Sequence, residues 1–100
     1  MGKPEANVED YLRDRVKALG GEVRKVKWIA RRGAPDDFVM LPCWQWSGFV
    51  ECKAEGKDVK HDSQQEREIE LLRACGINAE VVASRQDVDD LLFEIEGAAL

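Results

Sequence analysis

Val8, Leu12, Val16 and Leu19, with Tyr11 beside them, recur at the spacing of one helix face, and Gly20 and Gly21 then end the pattern. From Glu22 to Ile29 the apolar Val23, Val26, Trp28 and Ile29 mix with basic residues in a β-branched run, which predicts a strand carrying an irregularity. Gly33 and Pro35 predict a turn over 31–35, with Ala34 held away from helical angles by the proline that follows it. Phe38 to Leu41 reads as a short strand, Pro42 to Gln45 as a turn, and Trp46 to Ala54 as a longer strand whose pattern breaks at Ser47 and Gly48; the two strands form a hairpin. After the polar stretch 56–61, Asp62 or Ser63 caps a helix whose apolar face is Ile69, Leu71 and Leu72 and whose end is marked by Gly76. Ile77, Ala79, Val81 and Ala83 alternate with Asn78, Glu80 and Val82 as in a strand, and Val88, Leu91, Leu92 and Ile95 predict a last helix over 84–96. The predicted order is helix, three strands, helix, strand, helix: one layered α/β domain over residues 1–100.

Composition narrows this picture. With 44% hydrophobic and 35% charged residues the chain is globular rather than disordered. It has no apolar stretch of the roughly 20 residues a membrane span needs, and no apolar core of a signal peptide in its first twelve residues, so a cytosolic protein without membrane contact is expected. Cys43, Cys52 and Cys75 are odd in number and share no metal-ligand spacing, which predicts reduced thiols. A net charge of -5 argues against a nucleic-acid partner until its distribution is considered. Arg13, Arg15, Lys17, Arg24, Lys25, Lys27, Arg31 and Arg32 crowd the first third, and the acids load the last. Such an asymmetry fits either one positive face or a solvated mixed surface.

Side chains alternate along a strand, so Glu51 and Lys53 share one side while Val50, Cys52 and Ala54 take the other, toward the core. Asp36 follows the proline turn at the start of the preceding strand, where sheet pairing would carry its carboxylate toward Glu51. Paired carboxylates with open positions suit Mg²⁺ or Mn²⁺, which polarise a phosphoryl oxygen and acidify a bound water, and a nearby lysine orients that water or stabilises the developing charge. That is phosphodiester hydrolysis. Read in isolation, Glu-x-Lys is also a common cross-strand surface pair, and Pro-Asp a common turn.

These residues, joined in this order, resemble the PD-(D/E)xK nuclease superfamily and, within it, the virus-type replication-repair nuclease (VRR-NUC) domain. The resemblance spans nearly the whole chain: Val8-Glu9-Asp10-Tyr11-Leu12, Leu19-Gly20-Gly21, Arg24 to Trp28, Arg32-Gly33-Ala34-Pro35-Asp36, Phe49 to Lys53, Gln65, Leu72, Gly76 and Ser84. It implies a restriction-endonuclease-like αβββαβ core with a C-terminal helix, a central mixed sheet flanked by helices. It also implies Asp36, Glu51 and the Cys52 backbone carbonyl as ligands of Mg²⁺ or Mn²⁺, Lys53 as the catalytic lysine, and Glu9 as an additional acid acting through water or a second ion, with Glu5 as its alternative. Gln65 matches the glutamine near the lysine, with Gln64 as its alternative. Where family members often carry a basic residue after the motif aspartate, this chain has Asp37.

Phosphate neutralisation supplies most non-specific DNA affinity, so the expected DNA track is Arg24, Lys25, Lys27, Arg31 and Arg32 beside the Asp36 turn, with Lys57 and Lys60 after the lysine strand. His61 reads as an exposed loop residue rather than a ligand, and Trp28, Trp44 and Trp46 as core or subunit-interface residues before base-stacking ones. Resemblance to stand-alone viral members implies a phage or mobile-element origin and a homodimer acting on branched DNA such as four-way (Holliday) junctions. The rival readings are an acidic non-enzymatic DNA mimic, supported by the net charge, and a catalytically silent nuclease fold that only binds DNA.

Overall fold

The computed structural model describes residues 4–54 and 63–99. Helix α1 spans Pro4–Ala18, strand β1 Glu22–Lys25, β2 Asp37–Leu41, β3 Trp46–Cys52, helix α2 Gln64–Ala74, β4 Asn78–Val82 and α3 Arg85–Ala99, with a 3-10 turn at Pro42–Trp44. The expected αβββαβ order with a C-terminal helix is the order found, and the four-stranded sheet is mixed. Strands β1, β2 and β3 are antiparallel neighbours, and β4 lies parallel to β3. A parallel neighbour requires a crossover, which α2 supplies.

Strand alternation decides which helix each face meets. Val39, Leu41, Val50 and Val82 point to one side, where they join Val8, Leu12 and Val16 of α1 and Val88, Leu91, Leu92 and Ile95 of α3 in one buried cluster. Each such valine or leucine, fully buried, contributes about 1.5–3 kcal/mol, so the 8, 12, 16 spacing fastens α1 to the sheet. Phe38 and Phe49 are cross-strand partners with ring centroids 5.0 Å apart, and Trp28 lies 5.3 Å from Phe49. Helix α2 packs on β4, and its first turn bonds to Glu51 and Lys53, which alternate away from Val50; it therefore covers the second face. Trp44 and Trp46 lean on the apolar cluster between the sheet and α1 and α3.

Strand β1 is shorter than the expected run to Ile29. Lys25 pairs with Asp37, and one further bond, Val26 N–H to Asp36 O at 2.8 Å, closes the ladder. The next position across would be Pro35, which has no N–H to offer. Trp28 instead donates its indole N–H to Pro35 O at 2.7 Å, and Ile29 turns outward, 86% exposed. At the start of α2, Ser63 rather than Asp62 is the cap: its hydroxyl accepts from Glu66 N–H at 3.1 Å. Strand β3 stops at Cys52, short of Ala54, and α3 runs on to Ala99. The three cysteines are free thiols, and no helix among the described residues is long and apolar enough to cross a membrane.

Candidate active site

The antiparallel register pairs Asp37 with Val50, so one residue further along the same register Asp36 falls opposite Glu51. Neighbouring strands place directly opposed side chains about 4.5–5.5 Å apart at Cβ, close enough for two carboxylates to address one ion. Glu51 is half-buried, and its carboxyl is pushed up to about 7, first by burial and then by the charge of Asp36, against the pull of Lys53 and Lys25. A carboxyl crowded in this way is stabilised by a cation.

Lys53 leaves β3 on the same side as Glu51. Its Nζ donates to Gln65 Oε1, and Gln65 Nε2 donates to Glu51 Oε2 at 3.3 Å. The amide of the first α2 turn thus holds the lysine and the acid in fixed relation. Gln64 does not take this role: it donates to Glu68 at 3.2 Å instead.

Gly33 makes this placement possible. It has a φ of +78°, and a Cβ there would stand 2.8 Å from the backbone nitrogen of Gln65 and 3.0 Å from the carbonyl carbon of Gln64. The 31–35 turn therefore presses its backbone directly against the start of α2, and Arg31 fastens it by an ion pair with the buried Glu68. Gly33→Ala adds both clash and left-handed strain, so it should lower stability by about 1–3 kcal/mol in urea denaturation and displace Gln65 from Lys53.

On the α1 side of the sheet a second group of acids meets the first. Glu9, Asp36 and Asp37 each offer an oxygen, and these atoms lie within 4.8 Å of one another. The ammonium of Lys25 sits among them, 2.5 Å from Glu9 Oε2 and 3.4 Å from both Asp36 Oδ2 and Asp37 Oδ1. Burial works against the lysine charge, but its contact with Glu9 and the charges of Asp37 and Asp36 outweigh burial and hold Lys25 above the usual lysine range. Asp37 is fully buried; burial and then the adjoining Glu9 raise its carboxyl, while the hydrogen bond with Asp37 lowers Glu9.

Arg13 Nη2 reaches Asp37 Oδ1 at 3.4 Å, but Asp37 Oδ2 is buried with no hydrogen-bond partner. An orphaned carboxylate oxygen beside two other acids is the donor set of a hard divalent cation, and it fits Mg²⁺ or Mn²⁺ better than a softer metal. The Cys52 thiol is pushed up by burial and by the charges of Asp37 and Glu9, so it remains protonated and is no nucleophile.

A scan against protein-family models gave no match, and neither did a search among curated proteins. Among solved structures, a chain described as "VRR_NUC domain" aligns with a TM-score of 0.80 at 42% identity, covering 91% of this chain and 96% of that one. The chain belongs to the VRR_NUC family. Its fold is accordingly a nuclease fold.

Within this VRR_NUC fold the sequence-predicted residues divide into three groups. Asp36, Glu51, Lys53, Gln65 and Glu9 gather where β2 begins and β3 ends, in two sets: Gln65 joins Lys53 to Glu51, and Lys25 joins Glu9 to Asp36, with Glu51 outside the group that Glu9, Asp36 and Asp37 form. Among the expected phosphate contacts, Lys25 is engaged by the acids, Arg31 by Glu68, and Arg24 by Glu22 at 3.2 Å. Lys27 and Arg32 are exposed and have no ion pair among the described residues. Lys57, Lys60 and His61, and the side chain of Glu5, lie outside the described residues.

Sequence reasoning placed Lys25 among the phosphate contacts rather than among the acids, and gave Asp37 and Arg13 no place in the site. The signal available was the Asp36-Asp37 doublet: in a strand, successive acids face opposite sides, so the second had to meet α1.

Proposed function

We propose that this VRR_NUC chain is a Mg²⁺- or Mn²⁺-dependent DNA endonuclease with Asp36, Glu51 and Lys53 at its centre. The observation that carries this reading is the register that sets the acid of the Pro-Asp turn opposite Glu51, with Glu51 and Lys53 joined by Gln65 from α2. A surface charge pair needs no such support.

Asp36, Glu51 and the Cys52 carbonyl are the proposed ligands, with Glu9 behind them, and the bound ion would supply Lewis acidity toward a phosphoryl oxygen and an acidified water. Lys53 has the complementary task. Its ammonium, pinned by the Gln65 amide oxygen, is aimed by the same amide whose nitrogen donates to Glu51, so it meets the scissile phosphate without reorganising and stabilises the charge that develops there. Lys27 and Arg32 neutralise flanking phosphates. Changing both to Glu should lower the slope of log affinity against log salt by about 0.9 per lost contact, and an unchanged slope would reject this assignment.

The substrate proposed from the family likeness is branched DNA, a four-way junction cut by a homodimer whose two-fold axis matches that of the junction. Incubation of the purified chain with labelled junction, flap and linear duplex, with Mg²⁺, Mn²⁺ or chelator, tests this. Ion-dependent cutting that favours the junction, with a dimer by sedimentation, is expected. Equal cutting of all three would remove the junction preference, and no cutting with either ion would remove the enzymatic reading.

A further inference from the structure

We propose that Asp37 is a direct ligand of a divalent cation held together with Glu9 and Asp36, and that the Lys25 ammonium occupies this position until the ion displaces it. The inference rests on the metal-dependent reading above but concerns residues outside the Asp36, Glu51 and Lys53 set.

A carboxylate with no solvent exposure costs several kcal/mol unless each of its oxygens finds a charge or a donor. Asp37 meets this condition on one oxygen only. Lys25 and Arg13 both lie 3.4 Å from Oδ1, while Oδ2 is buried with no hydrogen-bond partner. Two cations crowd one oxygen and none serves the other. Around that carboxylate stand Glu9 and Asp36, whose ligand atoms lie within 4.8 Å of its own, so three oxygen donors, from α1, from the turn before β2 and from β2 itself, surround one small volume.

The register explains why this grouping forms. Lys25 pairs directly with Asp37 across β1 and β2, and α1 lays Glu9 over the same face. Three acids with Lys25 and Arg13 leave a formal charge of about -1, and exchanging the ammonium for a divalent ion would bring the group to about zero. An ammonium offers three diverging donors and no preference for a carboxylate cage, whereas Mg²⁺ and Mn²⁺ take oxygen ligands at about 2.0–2.2 Å. Two of the three Lys25 contacts are at 3.4 Å, too long for charge-assisted bonds of full strength. The Lys25 side chain is also 53% exposed, so it can swing into solvent when an ion arrives.

Calorimetric titration of the full chain with Mn²⁺ tests this without reference to cleavage. Asp37→Asn keeps the shape and a donor toward Glu9 but removes the ligand charge, and should weaken binding at one site at least about tenfold or abolish it. Lys25→Met removes the competitor and should tighten binding at that site by a similar factor. Circular dichroism checks the fold of each, and Lys25→Met, at an exposed position, keeps the test decisive if Asp37→Asn does not fold. Wild-type affinity and stoichiometry in either variant would overturn the proposal. If Glu51→Gln loses an ion while Asp37→Asn does not, the inference fails and the metal-dependent reading stands. If the wild type binds no Mn²⁺, both fail.

Discussion

Lys53→Ala is expected to lower the cleavage rate constant by about 10²–10⁴-fold without weakening divalent-ion binding. Lys53 touches no proposed ligand oxygen; its hydrogen bond goes to the amide of Gln65, which in turn holds Glu51. Its loss removes a positive charge aimed at the phosphate but leaves the carboxylates in place. Lys53→Arg should not restore the rate, because a planar guanidinium cannot take the point position of an ammonium against the same amide oxygen. Single-turnover cleavage of a labelled junction, paired with Mn²⁺ titration, separates the two effects. A rate equal to wild type would mean that the lysine is misassigned.

Glu51→Gln is expected to abolish cleavage and, in ion-free protein, to raise stability above pH 7. The Glu51 carboxyl ordinarily titrates near 4.5 and is pushed up to about 7 in the fold, first by burial and then by Asp36. A carboxyl raised on folding binds its proton more tightly in the native state. Its contribution is therefore favourable below about pH 4.5 and is lost as pH climbs through 7, where the fold holds an anion it does not favour. Glutamine carries no such anion. The gain of the variant over wild type should be near zero at pH 4 and grow to on the order of 2–3 kcal/mol by pH 8, read from urea denaturation with chelator present. Saturating Mn²⁺ should narrow or reverse the ranking, since the wild type gains from an ion at Glu51 that the variant no longer binds. A constant difference across pH would show that Glu51 is not desolvated as described.

Much of this arrangement was legible from residues alone, for identifiable reasons. The 8, 12, 16 spacing gave α1, and Gly20 and Gly76, at φ +81° and +80°, end their helices as left-handed caps. Strand periodicity placed Glu51 and Lys53 together and Val50 in the core, because that inference needs only the period of the strand. What the sequence left open depended on register. Nothing in Glu22 to Ile29 says that Lys25 will face Asp37 or that Pro35 will end the ladder two residues later. Arg31 read as a phosphate contact because its charge was visible and its partner, Glu68, lay 37 residues away on another helix. Asp37 stands out in the sequence only as a departure from the family pattern, and its meaning depends on α1 carrying Glu9 onto the same face.

The most direct measurement is the anomalous scattering of Mn²⁺ in crystals of the Lys53→Ala protein, where bound ions are located without turnover. The account predicts a peak shared by the Asp36 and Glu51 carboxylates at the end of β2 and β3. Manganese bound only elsewhere, or carboxylates of Asp36 and Glu51 turned away from a common ion, would contradict it.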